Sequence, residues 1–343
     1  MARRFPVDQK RFLFTMLLAL VLLCGFAAAA SYRWVLMDLQ RLPVEQVTAM
    51  VEDDLGSKYF ATSKGLTRVD KSDNYQIFTH ETTHGALLSD SVTCLGLDRY
   101  RGLWIGTSGG GLHVYDNGRW IHYTRDSTRS GLPDDGVLSL AVYREERWVG
   151  TRNGFAQLRN NVWTTYTGER IAGRLPHRAV TAIAVDSSGS KWLGTLGGLV
   201  KFSGSSWTQY TVDNTQGGLP HNGISYLVVD SSNSLWVGTQ AGIARRSADG
   251  KWTNFKTDLR LHELAGELTY SISLGSSGEV WGCFKGGVAR FNGDKIDLFT
   301  KNTVEGLLTR FIYYVMPGRD GGTWFATEKG VLTMYPPLRE QDE

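Results

Sequence analysis

Trp192-Leu193-Gly194-Thr195, followed by Leu196-Gly197-Gly198-Leu199, is the stretch that decides the fold. It recurs seven times in altered form, with Tyr59, Trp104, Trp148, Trp192, Trp236, Trp281 and Trp324 in first place. Successive copies stand 45, 44, 44, 44, 45 and 43 residues apart. Chance does not hold so steady a period, and units of this length built from several short strands are propeller blades.

Each unit reads as four strands. In the fifth, Ile224 to Val229 is a largely apolar first strand and Asp230-Ser231-Ser232-Asn233 turns the chain into Leu235-Trp236-Val237-Gly238-Thr239. Gln240-Ala241-Gly242 leads into a third strand, Ile243 to Arg246. Asp249-Gly250 then supplies the hairpin turn before Trp252-Thr253-Asn254-Phe255. Runs this short, rich in Val, Ile, Trp and Tyr and punctuated by Gly, Asp and Asn, predict antiparallel strands. The connections to the next unit keep register as well. From the last aromatic (Phe78, Tyr123, Tyr166, Tyr210, Phe255) to the next first strand is 14 residues each time, and 13 after Phe299. A leucine stands five residues before each first strand, at 42, 87, 132, 175, 219, 264 and 307, and we read it as an apolar pin under a connection of fixed length.

The last unit stops at Pro336-Pro337 without a fourth strand, whereas Arg33-Trp34-Val35-Leu36-Met37 matches the fourth strand Arg119-Trp120-Ile121-His122-Tyr123. The expectation is an all-β, seven-bladed propeller of four-stranded antiparallel blades over residues 32–337. A strand at about 33–37 completes the last blade and removes an exposed edge. All eleven tryptophans fall on this frame, six on second strands and five on fourth strands, so they read as packing between blades rather than as a sugar platform. Cys94 and Cys283 fall on well-separated blades, out of disulfide reach of one another, and read as small core residues.

Ahead of the ring, basic residues 3–11 precede an uncharged run from Phe12 to Ala30 that ends in Ala28-Ala29-Ala30. Residues 1–30 therefore read as a signal peptide or N-terminal membrane anchor, and 338–343 as a short tail. Either reading places the ring outside the cytoplasm: periplasmic, or held at the inner membrane facing the periplasm through residues 12–30 if these stay uncleaved. The charge argument changes with the leader. Taking Arg3, Arg4, Lys10, Arg11 and Asp8 from 37 basic and 34 acidic residues leaves 33 of each. No basic excess then points to nucleic acid as a partner.

The pattern Asp186-Ser187-Ser188-Gly189 to Trp192-Leu193-Gly194-Thr195, with Gly218-Leu219-Pro220-His221-Asn222 ahead of the next first strand, resembles the two-component regulator propeller repeat. That resemblance covers about residues 33–336. It implies an extracytoplasmic seven-bladed propeller that serves as a sensor. The 343 residues hold no kinase and no DNA-binding segment, so output is expected through a separate partner such as a membrane histidine kinase. Trp324-Phe325-Ala326-Thr327-Glu328 is also similar to a strand of streptogramin lyases.

The sequence offers no phosphate loop, metal-spaced histidine pair or nucleophile elbow, and no cofactor, metal site or catalytic residue is expected. His177 and His221 share the position after Leu-Pro, which reads either as a pH-sensitive or metal-binding pair or as two solvated loop residues. One face of a propeller gathers the connections between blades together with the turns between second and third strands. On it fall Lys64, Asp135, Arg152, His177, Arg178, His221, Asn222, Glu267, Lys285, Arg310 and Lys329. These positions vary on a constant frame, as a recognition surface requires, and the expected ligand is a polar small molecule or a loop of an envelope protein. The channel wall, mostly apolar and β-branched, is expected to add little polar chemistry. Three function classes follow: a sensing propeller, an interaction scaffold in a cell-envelope complex, and a lyase-type enzyme.

Overall fold

The computed structural model describes residues 33–36, 47–303 and 311–335. The leader 1–30, the pins Leu42 and Leu307, the rim residue Arg310 and the tail 338–343 lie outside the described residues. The ring occupies Trp34–Met334, and of the terminal segments outside it only Arg33 and Tyr335 are described.

Seven four-stranded sheets form the ring. Their inner strands are Val47–Glu52, Val92–Leu97, Val137–Tyr143, Val180–Val185, Ile224–Val229, Thr269–Leu274 and Ile312–Pro317. Each inner strand packs beside the next, and the seventh packs beside the first, so the ring is closed. The last blade draws Ile312–Pro317, Thr323–Thr327 and Gly330–Tyr335 from the C-terminal end, and Arg33–Leu36 is its outer strand. The closure expected from the sequence is therefore the one observed.

The Trp-x-Gly-Thr motif has a separate physical reason at each position. The six second-strand tryptophans are buried, whereas Trp120, Trp163, Trp207 and Trp252 on outer strands are half-buried. Trp192 packs with Leu219, Ile224 and Leu227, which belong to the next blade and the connection leading to it. A Cβ on Gly194 would stand 2.6 Å from Ile224 Cγ2, so only glycine lets the next inner strand come this close. Thr195 Oγ1 donates to Gly198 O at 2.8 Å and accepts from Gly197 N at 3.1 Å, which closes the turn to the third strand. Gly198 itself has φ +146°.

A second device sits at the opposite end of the second strand. The carboxylate six residues before Trp192 takes four hydrogen bonds, one of them from the Ser188 hydroxyl. Asp186 Oδ1 accepts from Ser188 N and Ser190 N, and Oδ2 accepts from Trp192 Nε1 at 3.1 Å. Asp98 and Asp230 repeat the arrangement on Trp104 and Trp236, and Asp53 repeats it on the Tyr59 hydroxyl. Cations then cover the indoles from the following blade: Arg147 over Trp104, Lys191 over Trp148 and Arg246 over Trp192.

Candidate functional site

The connections between blades and the turns after Trp-x-Gly-Thr do share one face, joined by backbone hydrogen bonds. Arg152 N donates to Gly136 O at 3.0 Å, Gln240 N to Gly223 O at 3.0 Å, and Lys285 N to Leu268 O at 3.1 Å. Gly154 N reaches Arg178 O on the next connection at 2.7 Å. This framework fixes where each rim side chain begins.

Lys64, Arg152, Arg178, Lys285 and Lys329 are exposed on that face, and Asp135, His177, His221, Asn222 and Glu267 are half-buried. The half-buried group is largely occupied with its own loops. Asp135 Oδ1 accepts from Arg125 N at 2.6 Å, and Asn222 Oδ1 accepts from Val212 N at 2.8 Å. His177 Nδ1 accepts from Ala179 N at 3.1 Å, and His221 Nδ1 from Gly223 N at 2.9 Å. Both imidazoles thus carry any ring proton on Nε2 in this arrangement. Asp134 makes the same contact to Gly136 N with its carboxylate, which identifies the position as a loop-turning one. Arg310 lies outside the described residues.

The connections contain further polar residues that sequence reading did not single out. Thr83 Oγ1 donates to Thr79 O at 2.6 Å and accepts from Leu87 N at 3.0 Å. Thr128 and Thr215 do the same for Leu132 and Leu219. These hydroxyls hold the leucine pins, and Leu87, Leu132, Leu219 and Leu264 are fully buried. Leu175 is only half-buried, and buried Ile171 stands at the position that Thr83, Thr128 and Thr215 hold before Leu87, Leu132 and Leu219.

The channel corrects an expectation. Its wall is not poor in polar groups, because every inner strand carries a bulge near its start. The bulged residue leaves the ladder and turns toward the next blade. Thr48, Thr93, Thr181 and Ser225 occupy that place, and each hydroxyl donates to the next blade's inner strand, at Val92, Val137, Ile224 and Thr269 O, over 2.6–2.8 Å. In the third blade Leu138 is bulged, and Ser139 makes the stitch to Val180 O instead. The recurring Thr or Ser at the second place of the inner strand was the available sequence signal.

Inside the ring lies a cavity of about 230 Å3. Tyr226 and Tyr314, from the fifth and seventh blades, meet there with hydroxyls 2.9 Å apart. Burial raises both phenols above the ordinary range; the partner hydroxyl adds to the rise at Tyr226 and opposes it at Tyr314. Cys94, whose surface faces this enclosed space, and buried Cys283 are free thiols pushed up to about 12 by burial. Neither is poised as a nucleophile. Toward the sixth and seventh blades, Tyr270 and Tyr313 meet edge to face at 5.5 Å. Among the described residues no three His, Cys, Asp or Glu side chains converge as a metal-ligand set, and no helix is long and apolar enough to cross a membrane.

Fold and rim together define a seven-bladed β-propeller that carries its variable residues on one face. Residues 218–241 match the family model of the two component regulator propeller. No curated protein matches the chain. Among solved structures, the extracellular domain of a hybrid two component system from B. thetaiotaomicron is similar, at 19% identity and TM-score 0.73. That similarity covers 88% of this chain and 41% of the other, so the chain spans about two fifths of that domain's length. Virginiamycin B lyase from Staphylococcus aureus aligns at 13% identity and TM-score 0.67, over 89% of this chain and 99% of its own. PorZ, a bacterial surface component of the type-IX secretion system of Porphyromonas gingivalis, aligns at 18% identity and TM-score 0.66, over 84% and 46%. At these identities the likeness is one of fold.

Proposed function

We propose that the chain is an extracytoplasmic, non-catalytic binding propeller, a sensory or regulatory input module that acts through a separate partner such as a membrane histidine kinase. The observation that carries this reading is the rim itself. A rigid backbone frame presents Arg152, Arg178 and Lys285 to solvent, and among the described residues their side chains make no hydrogen bond or ion pair. The turns on the opposite face spend their carboxylates on tryptophan and backbone amides, which leaves little to discriminate a ligand. The likeness in fold to an extracellular domain from B. thetaiotaomicron and the apolar run 12–30 support a place outside the cytoplasm. A lyase would use His177 or His221 beside Glu267 as a proton-transfer pair, yet both Nδ1 atoms are bonded to their own loops.

The test is a thermal-shift screen of small polar ligands on wild type and three rim variants: Arg152→Ala, Arg178→Glu and Lys285→Glu. The reading expects a ligand whose stabilisation disappears in at least one variant. Retention in all three, with loss in variants of turns 186–189 or 230–233, places binding on the other face. A chain that no ligand stabilises, but that co-purifies with one envelope protein, is a scaffold. N-terminal sequencing of the exported chain reports on the leader: a start at Ser31 is expected for cleavage, and a start at Met1 or Ala2 for an anchor.

A further inference from the structure

Three connections are fastened alike. In residues 79–90, 124–135 and 211–222, a short polar side chain (Thr82, Ser127 or Asn214) accepts from the backbone N–H of the first residue. Asp90, Asp135 or Asn222 then accepts from the N–H of the second. The connection 167–178 has the same length, but arginines stand at both fastening positions, Arg170 and Arg178. A guanidinium has no acceptor atom, so neither can do the work its counterparts do. Loop stability therefore does not account for them.

Arg170 opens onto a cleft of about 390 Å3, together with Arg125, Ser130, Asn153, Thr165 and Thr167. The cleft lies on the rim face, between the connections on either side of the third blade. Several arginines of this chain are matched with carboxylates: Arg147 with Asp98, Arg260 with Asp258, Arg290 with Asp297. Arg125 and Arg170 are not. Asp134 and Asp135 each have Oδ1 bonded to a backbone amide, of Gly136 and of Arg125. Among the described residues Arg125 and Arg170 have no side-chain partner, and the cleft wall holds a single carboxylate, the exposed Glu169. Two guanidiniums against one carboxylate leave an excess of positive charge beside hydroxyl and amide groups.

We infer that this cleft is an oxyanion site, one that takes a ligand through its phosphate or carboxylate group with Arg125 and Arg170 as the two-pronged contacts. The inference rests on the reading of this face as the recognition surface. It also assigns a chemistry to one of the missing fasteners: Arg170 gives up the loop bond its counterparts make and supplies one of the two cations of the cleft.

The experiment is isothermal titration of the exported chain at low salt with inorganic phosphate and, separately, with succinate. Proteins compared are wild type, the double variant Arg125→Gln/Arg170→Gln, and Arg119→Gln, an exposed arginine on the outer strand of the second blade. Saturable binding of either anion is expected, about tenfold or more weaker in the double variant and unchanged in Arg119→Gln. Preference for phosphate or for succinate identifies which group the natural ligand presents. Absence of saturable heat from both anions overturns the site. So does equal weakening in the double variant and Arg119→Gln, which would be an effect of net charge alone. Both substitutions sit on exposed side chains without partners, and an unchanged circular dichroism melt verifies the fold. If anions fail to bind while rim variants still abolish recognition of a screened ligand, only this inference falls.

Discussion

Asp186 sits at the bottom of the turn that launches the tryptophan strand, 5% exposed, and meets the chain through both oxygens. Burial works against its charge. Hydrogen bonds from Ser188, Ser190 and Trp192 and the Lys201 ammonium outweigh that and hold its pKa below the usual value; hydrogen bonds do the same at Asp230. The six-residue spacing from Asp to Trp is visible in the sequence, but the reason for it, an indole N–H reaching one oxygen while the backbone uses the other, is not. Asp186→Ala leaves the Trp192 N–H and two amides without their acceptor and is expected to lower stability by about 1.5–3 kcal/mol. Asp249→Ala, on the exposed hairpin, should change little, and urea denaturation of both variants checks the contrast. His113 gives a different pH window. It is fully buried on the third strand of the second blade and accepts from Leu88 N through Nε2, and burial followed by the nearby His122 pushes it down to about 4. Between pH 6.5 and 4 the unfolded chain binds a proton that the native chain does not, so stability falls as pH falls, by about 3 kcal/mol in all. The lowered aspartates add their own loss only below their ordinary values. Urea midpoints measured across pH 4–7 should slope in wild type and flatten in His113→Gln, whose amide oxygen can still accept from Leu88; a slope unchanged by the substitution would refute the assignment.

Among the elements, the connections show how much a sequence reveals and where it stops. Their constant length and the leucine pins were readable because both recur at fixed offsets. The hydroxyls that hold the pins were not, because Thr, Ser and Asn in such stretches look like ordinary turn residues. The same limit hid the channel stitching. The inner strands show little apolar–polar alternation, so a one-residue bulge leaves as its trace only the recurring Thr or Ser at the second place, which reads as an ordinary strand residue. The rim was half legible: positions facing the recognition side could be found by register, but which ones are bound up in loops, as Asp135, Asn222, His177 and His221 are, depended on hydrogen bonds. Thr128→Val removes both the donor to Thr124 O and the acceptor for Leu132 N while keeping shape. It is expected to cost about 1 kcal/mol or somewhat more. Amide exchange at Leu132 should speed up well ahead of exchange in the neighbouring strands, and protection equal to wild type would show that the buried leucine holds the loop unaided.

For the whole molecule, the question is how a ring of near-identical blades avoids opening. All seven junctions are continuous in sequence, the seventh because Arg33–Leu36 of the last blade precedes the first inner strand, Val47–Glu52, in the chain; the other three strands of the last blade meet the first blade by contact. There Arg319 N donates to Glu52 Oε2, Lys58 pairs with Glu52 and Asp320, and Lys58 lies over the Trp324 ring at 4.6 Å. The last blade is also the one with a borrowed strand, Arg33–Leu36, beside Gly330–Tyr335. The sequence showed this closure because a fourth strand was missing at one end and present, in matching form, at the other. A chain begun at Met37 lacks that strand and exposes the edge of Gly330–Tyr335. At about 1 kcal/mol for each ladder hydrogen bond lost, a four-residue strand is worth a few kcal/mol. In a ring of this size that amounts to a fall of roughly 5–15 °C in melting temperature. Because this strand is also the covalent link between the last blade and the first, its loss should loosen those two blades before the others, which hydrogen exchange resolves blade by blade. A peptide of residues 31–37 added to the shortened chain should restore part of the melting temperature, since it can refill the same edge. A shortened chain that melts like wild type, or one that no such peptide stabilises, would mean that contacts between the first and last blades hold the ring closed without the borrowed strand.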